Sequence, residues 1–260
     1  MPDWSTFLSA MTLALIRMSG VVLLAPFFSS TALPVRTKAV FVLAVAYLLA
    51  PLVATLPNAR AEIDFAAILG ELAVGLVYGL SLALLNEMLL FAGQIMGGQL
   101  SFSLVNILDP SSQIETPLLG NLFQTMGTLV LLAAGLDRIL LASVVRSFRV
   151  VPLGSFAMSP VTGLAIVRAA GGLFVAAVEL AAPVLAATML VEISVALMGK
   201  LSPQLPVMNI TVPLKTLTGF VVLAGSLALW PHFIEGRFGA LLDMAEQLIA
   251  GHANAAASGG

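Results

Sequence analysis

Apolar residues dominate this chain in long blocks: Phe7 to Phe28, Ala39 to Leu56, Ala66 to Ile95, Leu118 to Leu141, Val161 to Met198 and Val212 to Trp230. Each reaches or approaches the roughly 20 residues that carry a helix across about 30 Å of hydrocarbon. The third and fifth are too long for one simple crossing. The fifth also contains Gly171, Gly172 and Pro183, which break or bend helices, so it reads as a helical hairpin or a broken helix. Connections between the blocks are short and rich in turn residues, as in Ser29 to Pro34, Pro57 to Arg60 and Leu201 to Pro206, and nothing marks a linker between separate domains. After Pro231, residues Ile234, Phe238, Leu241, Leu242, Ala245, Leu248 and Ile249 recur at helical spacing opposite Glu235, Asp243 and Glu246. They predict a terminal amphipathic helix that lies on a membrane surface or docks on a partner, its mixed charge favouring docking. The expected class is all-α and integral to a membrane, with about six hydrophobic segments in one domain over 1–251 and a disordered tail over 252–260.

Composition sharpens this picture. Hydrophobic residues make up 60% and charged residues 9%, against roughly 25% charged in an ordinary globular domain. The apolar excess must face lipid or protein. A net charge of -2 without any Lys/Arg-rich run excludes the footprint of a nucleic-acid binder. With no cysteine, and His232 and His252 as the two histidines, thiolate metal sites and disulfides are excluded and no metal cluster is in sight. Asp3 stands where a secretory signal would carry positive charge, and the first apolar block ends without a small-residue cleavage site, so it reads as mature protein. Positive-inside counting is indecisive, since Arg36 and Lys38 oppose Arg60, Arg146 and Arg149.

Arg17, Glu71, Glu87, Arg168, Glu179 and Glu192 interrupt the apolar blocks, where an ionised side chain costs at least about 2–3 kcal/mol. They are expected to face other helices, a water-filled path or the membrane boundary. Glu71 and Arg168 lie near block ends, whereas Glu87 and Glu179 are deeper. On one straight helix Arg168 and Glu179 would be roughly 16 Å apart, too far to bridge. Glu71, Gly75, Gly79, Ala83 and Glu87 recur every four residues, a ridge whose small members let another backbone come close. Gly75-Leu-Val-Tyr-Gly79 and Gly93-Gln-Ile-Met-Gly97 both have the spacing of tight helix packing, a weak signal of assembly.

Between the third and fourth blocks the segment Gly93 to Gly120 is Gly-rich, semi-apolar and turned at Asp109, Pro110, Ser111 and Ser112, with Asp109 and Glu115 its charges. Such a segment suits a space inside protein. Ser101 and Ser103 have no histidine nearby, and Asp109 with Glu115 has no matching ligands, so no catalytic set and no cofactor motif is read here. Gly93 and Gln94, Gly97, Gly98 and Gln99, Ser101, Phe102 and Ser103, then Asp109 and Pro110, are similar to the central signature of the FliR family, called SctT in injectisomes. Glu71 with Gly75 and Gly79, Leu180 to Pro183, Pro203 with Gln204, and Pro213 to Lys215 follow in that family's order, so the resemblance spans nearly the whole chain. One departure is that Pro206, Val207 and Met208 follow Leu205 and displace Asn209, so no role is carried over to that Asn.

The resemblance implies one copy of a FliR-like chain assembling with FliP-like and FliQ-like subunits, and a FlhB-like subunit, into a pore for unfolded export substrates. Its setting would be the bacterial inner membrane at the flagellar basal body. Its helices would form bent hairpins raised from the bilayer. It further implies a plug over about 105–116, including Val105, Asn106, Ile107, Leu108, Asp109, Pro110, Gln113 and Ile114. Steric gating of that kind needs no catalytic residue. Met88 and Met96 flank the region, where a deformable seal competes with ordinary core filling. Assembly residues would be Glu71, Gly75, Gly79, Glu87, Arg168, Glu179, Glu192, Pro203, Gln204 and Lys215. An injectisome gate subunit is the nearest alternative. A secondary transporter is another, suggested by intramembrane charges and helix breaks, although no internal repeat is found.

Overall fold

In a bilayer core each backbone N–H and C=O must be satisfied within the protein, which leaves apolar blocks of this length no stable form but the helix. The computed structural model describes residues 4–25, 34–57, 59, 62–100, 118–156, 160–202, 204 and 207–258. Its helices are α1 (Trp4–Leu24), α2 (Val35–Ala54), α3 (Phe65–Gln99), α4 (Leu118–Ala133), α5 (Leu136–Val150), α6 (Pro160–Leu201), α7 (Val207–Ser226) and α8 (Trp230–Ser258), with a 3-10 turn over Leu227–Leu229 before α8. No strand occurs among the described residues, and the fold is all-α. Among the described residues, five helical segments are long and apolar enough to cross a membrane, or six if α4 and α5 count as one broken span.

Local chemistry sets the boundaries. Asp64 Oδ1 accepts from the Ala67 amide at 2.6 Å, capping the first turn of α3. At the end of α2 the Thr55 hydroxyl donates to the Leu52 carbonyl at 2.9 Å, satisfying a group left open in the last turn. The fourth apolar block is not one helix: it breaks after α4 at Gly135, whose φ of 68° is a left-handed value that glycine adopts without strain. Beyond the break α5 runs to Val150, with Asp137 in its first turn and Arg149 in its last, each matching the local sign of the helix dipole. Arg146 and Arg149 therefore sit on a helix rather than in a connection.

Two expectations are corrected. The fifth block is neither a hairpin nor broken, because α6 runs through Pro183 as one helix of 42 residues. Proline removes a single N–H, while opening the helix around it would expose several backbone groups to an apolar surrounding. The second correction concerns α8. Its stripe Ile234, Phe238, Leu242, Ala245 and Ile249 is buried within the chain, not laid on a membrane surface or kept for a partner. The helix also continues to Ser258, past the end expected at Gly251; Ala253, Ala255, Ala256 and Ala257 are strong helix formers.

The chain divides into two compact units, Met1–Leu85 with Gly135–Ala170 and Gly236–Gly260, and Asn86–Ala134 with Gly171–Glu235. Helices α3, α6 and α8 each contribute to both, so no linker separates them. In the first unit α1 and α2 form an antiparallel hairpin: Phe7 meets Tyr47 edge to face at 5.8 Å, and Leu23 shares a groove with Val35. Ala10, Leu13 and Ala14 of α1 join Ala46 and Val53 of α2, Ala67 of α3, Phe148 and Leu153 in one buried cluster. Along α1, the backbone of Arg17 and Gly20 lies directly on Gly75 of α3, where a Cβ would strike the Arg17 carbonyl. In the second unit Gly93 of α3 lies against Gly120 of α4, and α6 pairs antiparallel with α7 through Glu192 and Lys215.

Replacing Gly75 by leucine is expected to destabilise the first unit by at least about 1–3 kcal/mol, the usual range for overpacking. Gly171→Ala, at a position with open space around it, should be neutral or slightly stabilising. Melting of the detergent-extracted protein followed by fluorescence-detected size exclusion distinguishes the two. Equal melting temperatures for Gly75→Leu and wild type contradict the close crossing.

Candidate functional site

The strongest polar constellation lies inside the first unit. Arg17 on α1 and Glu71 on α3 are both fully buried. Arg17 Nε donates to Glu71 Oε2 at 2.6 Å, Nη1 to Ser147 Oγ on α5 at 3.0 Å, and Nη2 to the Val151 carbonyl at 3.0 Å. The guanidinium also stands 4.0 Å from the centre of the Phe148 ring, a cation–π contact. Glu71 Oε1 accepts from the Gly154 amide at 3.0 Å, and the Ser147 hydroxyl donates to the Val144 carbonyl at 2.6 Å. Both ions thus have partners on both ends, the condition for keeping a charged pair in an apolar interior.

Geometry explains the reach. The absence of a side chain on Gly75 brings the α1 backbone against α3, which places the Arg17 side chain one helical turn from Gly75, at Glu71. The turn after α5 closes over them because Gly154 has φ 68° and because Gly70 leaves room for the Phe156 carbonyl. Tyr78, a further two turns along α3, donates to the Ser143 carbonyl at 3.4 Å. Glu71 is therefore not an end residue reaching the membrane boundary. Ser147, Phe148, Val151 and Gly154 were not singled out from sequence; Ser143 and Ser147, four apart on the α5 face, were the available signal.

Other charges in the apolar blocks are arranged differently. Glu87, Arg168, Glu179 and Glu192 are exposed on this chain. Glu192 of α6 accepts from Lys215 Nζ of α7, with the lysine side chain 11% exposed and the glutamate 47%. Of the Gly-rich signature, Gly93 is buried against Gly120, Gln94 and Gly98 are exposed, and Gly97 lies near Leu119. Gln99 has its Oε1 buried without a hydrogen-bond partner. Ser101, Phe102, Pro203 and the plug positions Val105 to Thr116 lie outside the described residues; Gln204 is exposed.

Within the first unit, Arg17→Met or Glu71→Leu alone strands a buried charge and is expected to cost about 3–5 kcal/mol, whereas the double replacement recovers most of that loss. Thermal stability of the four forms in detergent gives the coupling. Additive losses in the double variant contradict an interdependent pair.

Residues 8–241 match the profile of the bacterial export proteins, family 1. The chain is 23% identical over 252 residues to the flagellar biosynthetic protein FliR of Escherichia coli (strain K12), covering 95% of each chain. It is 26% identical over 237 residues to that of Caulobacter vibrioides, covering 89% of this chain and 94% of the relative. With the Bacillus subtilis FliR it shares 26% identity over 185 residues, or 69% of this chain and 71% of the relative. Matched over most of its length, the chain belongs to the bacterial export proteins, family 1, the family of FliR.

Proposed function

We propose that this chain is the pore-forming subunit of a flagellar protein-export gate in the inner membrane. One copy would assemble with FliP-like and FliQ-like subunits beside a FlhB-like subunit, passing unfolded flagellar proteins. Family membership makes it a membrane-associated component of the flagellar export apparatus; the pore, the partners and the plug are our reading.

The observation that carries it is the exposure of ionisable groups in the middle of long apolar helices. Glu87 and Glu192 lie well inside α3 and α6, among exposed Phe174, Leu190 and Ile193. Lipid at that depth rejects a carboxylate, so these faces suit subunit contacts or a hydrated path. Gln99 Oε1 supports the same view: buried acceptors are normally bonded, and a donor from the assembly would complete it. Residues 105–116 are the proposed plug, an apolar obstruction that blocks ions and yields to a substrate chain. Arg168, Glu179, Pro203, Gln204 and Lys215 are proposed as contact residues of the assembly.

Deleting Asn106 to Ile114 should leave the complex assembled but conductive, raising ion current in planar bilayers by an order of magnitude or more. Unchanged conductance of the assembled deletion would remove the plug assignment. Glu87→Leu should lower the yield of co-purified partner subunits while the chain itself still inserts. Native mass spectrometry reads the stoichiometry directly, and undiminished complex would refute a pairing role for Glu87.

A further inference from the structure

Within the second unit α7 and α8 meet without a loop. The chain keeps a helical course but tightens into the 3-10 turn Leu227–Leu229, and the Trp230 amide donates to the Leu227 carbonyl three residues back. The residues explain the tightening. Pro231 has no N–H for the Leu227 carbonyl, which lies four residues before it, and its ring crowds that carbonyl. On the other side Gly225 has open space around it. The Ser226 hydroxyl donates to the Leu223 carbonyl at 2.8 Å, sharing an acceptor of the helix ladder. Proline and Gly-Ser pairs are where helices kink, and here they bracket a turn whose hydrogen bonds have poorer geometry than those of an α-helix.

Trp230 closes this joint. Its side chain is buried and meets Phe123 of α4 edge to face, with ring centres 4.5 Å apart. Its Nε1 is also buried, yet has no hydrogen-bond partner among the described residues. The Phe123 ring offers no more than a weak acceptor. A buried donor left open biases against its conformation by roughly 5- to 150-fold relative to one in which the N–H is bonded. Aromatic packing therefore holds the joint shut while the indole N–H works against it. We propose that residues 227–231 form a two-state joint latched by Trp230. With the indole seated on Phe123, α7 runs on into α8. With the indole withdrawn, its N–H gains an acceptor and α7 bends away from the first turn of α8. The bonds that open are those of the 3-10 turn, so neither helix unwinds. Leu214, Leu217 and Val221 are exposed on α7, and opening the joint redirects that apolar face. The latch depends on this one joint and needs neither the proposed pore nor the plug.

The chain has two tryptophans, and Trp4 is 80% exposed, so the full-length Trp4→Phe protein in neutral detergent reports on Trp230 alone. Amide hydrogen exchange by mass spectrometry and acrylamide quenching of Trp230 are measured on the same preparation. Amides of residues 227–233 are expected to exchange at least about tenfold faster than those in the middle of α7 and α8, with Trp230 open to the quencher. Adding Pro231→Ala gives the Leu227 carbonyl its donor back. That variant should slow the joint to the rate of the flanking helices and lower Trp230 quenching by about threefold or more. Adding Phe123→Leu instead removes the ring beneath the indole and should raise both readouts by about threefold or more. Fast exchange at the joint with Trp230 as shielded as in Pro231→Ala would make this an ordinary weak turn and overturns the latch. Exchange and quenching unchanged by Pro231→Ala overturn it as well. Alanine favours a helix more than proline does, so the Pro231→Ala comparison decides the matter even if Phe123→Leu fails to fold.

Discussion

In an apolar surrounding a buried ion is tolerable only when its partners are fixed before water is lost, and the first unit is organised around that requirement. Arg17 and Glu71 satisfy each other and draw in Ser147, Val151 and Gly154. The network joins α1, α3, α5 and the turn that follows α5. Each participating element is positioned by a steric detail elsewhere: Gly75 admits the α1 backbone, Gly70 admits the Phe156 carbonyl, and Gly154 takes the left-handed turn. Hydrophobic packing between helices supplies little direction when the surrounding solvent is equally apolar. A directional pair with several obligatory partners supplies it, since sliding or rotating one helix leaves a charge unsatisfied.

Polar groups in the second unit follow another rule. There the ionisable residues of α3 and α6 stay on the surface of the chain, and Glu192 meets Lys215 at that surface. One set of charges is spent on holding the subunit together. The other set lies on the surface of the chain, and in the proposed gate it would meet neighbouring subunits.

Much of this was legible in the residues. Blocks of about 20 apolar positions gave the spans, and the four-residue recurrence from Glu71 through Gly79 marked the ridge on which α1 packs. What the ridge touches was not legible. Arg17 and Glu71 are separated by 54 positions, and Arg17 and Ser147 by 130, and no local pattern encodes such a pairing. Sequence reasoning treated Arg17 and Glu71 as separate burdens, when each is the solution to the other. The burial of α8 was hidden for a similar reason: an amphipathic stripe specifies that something covers it, not whether the cover belongs to the same chain. Within the first unit Arg146 of α5 and Glu246 of α8 approach to 3.6 Å, and with Arg146 exposed and Glu246 half-buried that contact is a consequence of docking more than its cause.

Two of the helix breakers in the apolar blocks show why composition alone misplaced the bend. Pro183 and Gly135 each weaken a helix, yet only Gly135 ends one. At Pro183 the neighbours Ala181, Ala182 and Val184 offer no side-chain donor or acceptor, so any further opening would leave carbonyls without partners. After Gly135 the chain has Asp137 and Arg138, polar groups that make an exposed helix start tolerable, and Arg138 N–H finds the Gly135 carbonyl at 3.1 Å. A break in a membrane helix thus requires a residue that permits the turn together with neighbours that satisfy the freed backbone. Proline meets the first condition here and fails the second, which keeps α6 in one piece and leaves its long apolar face intact.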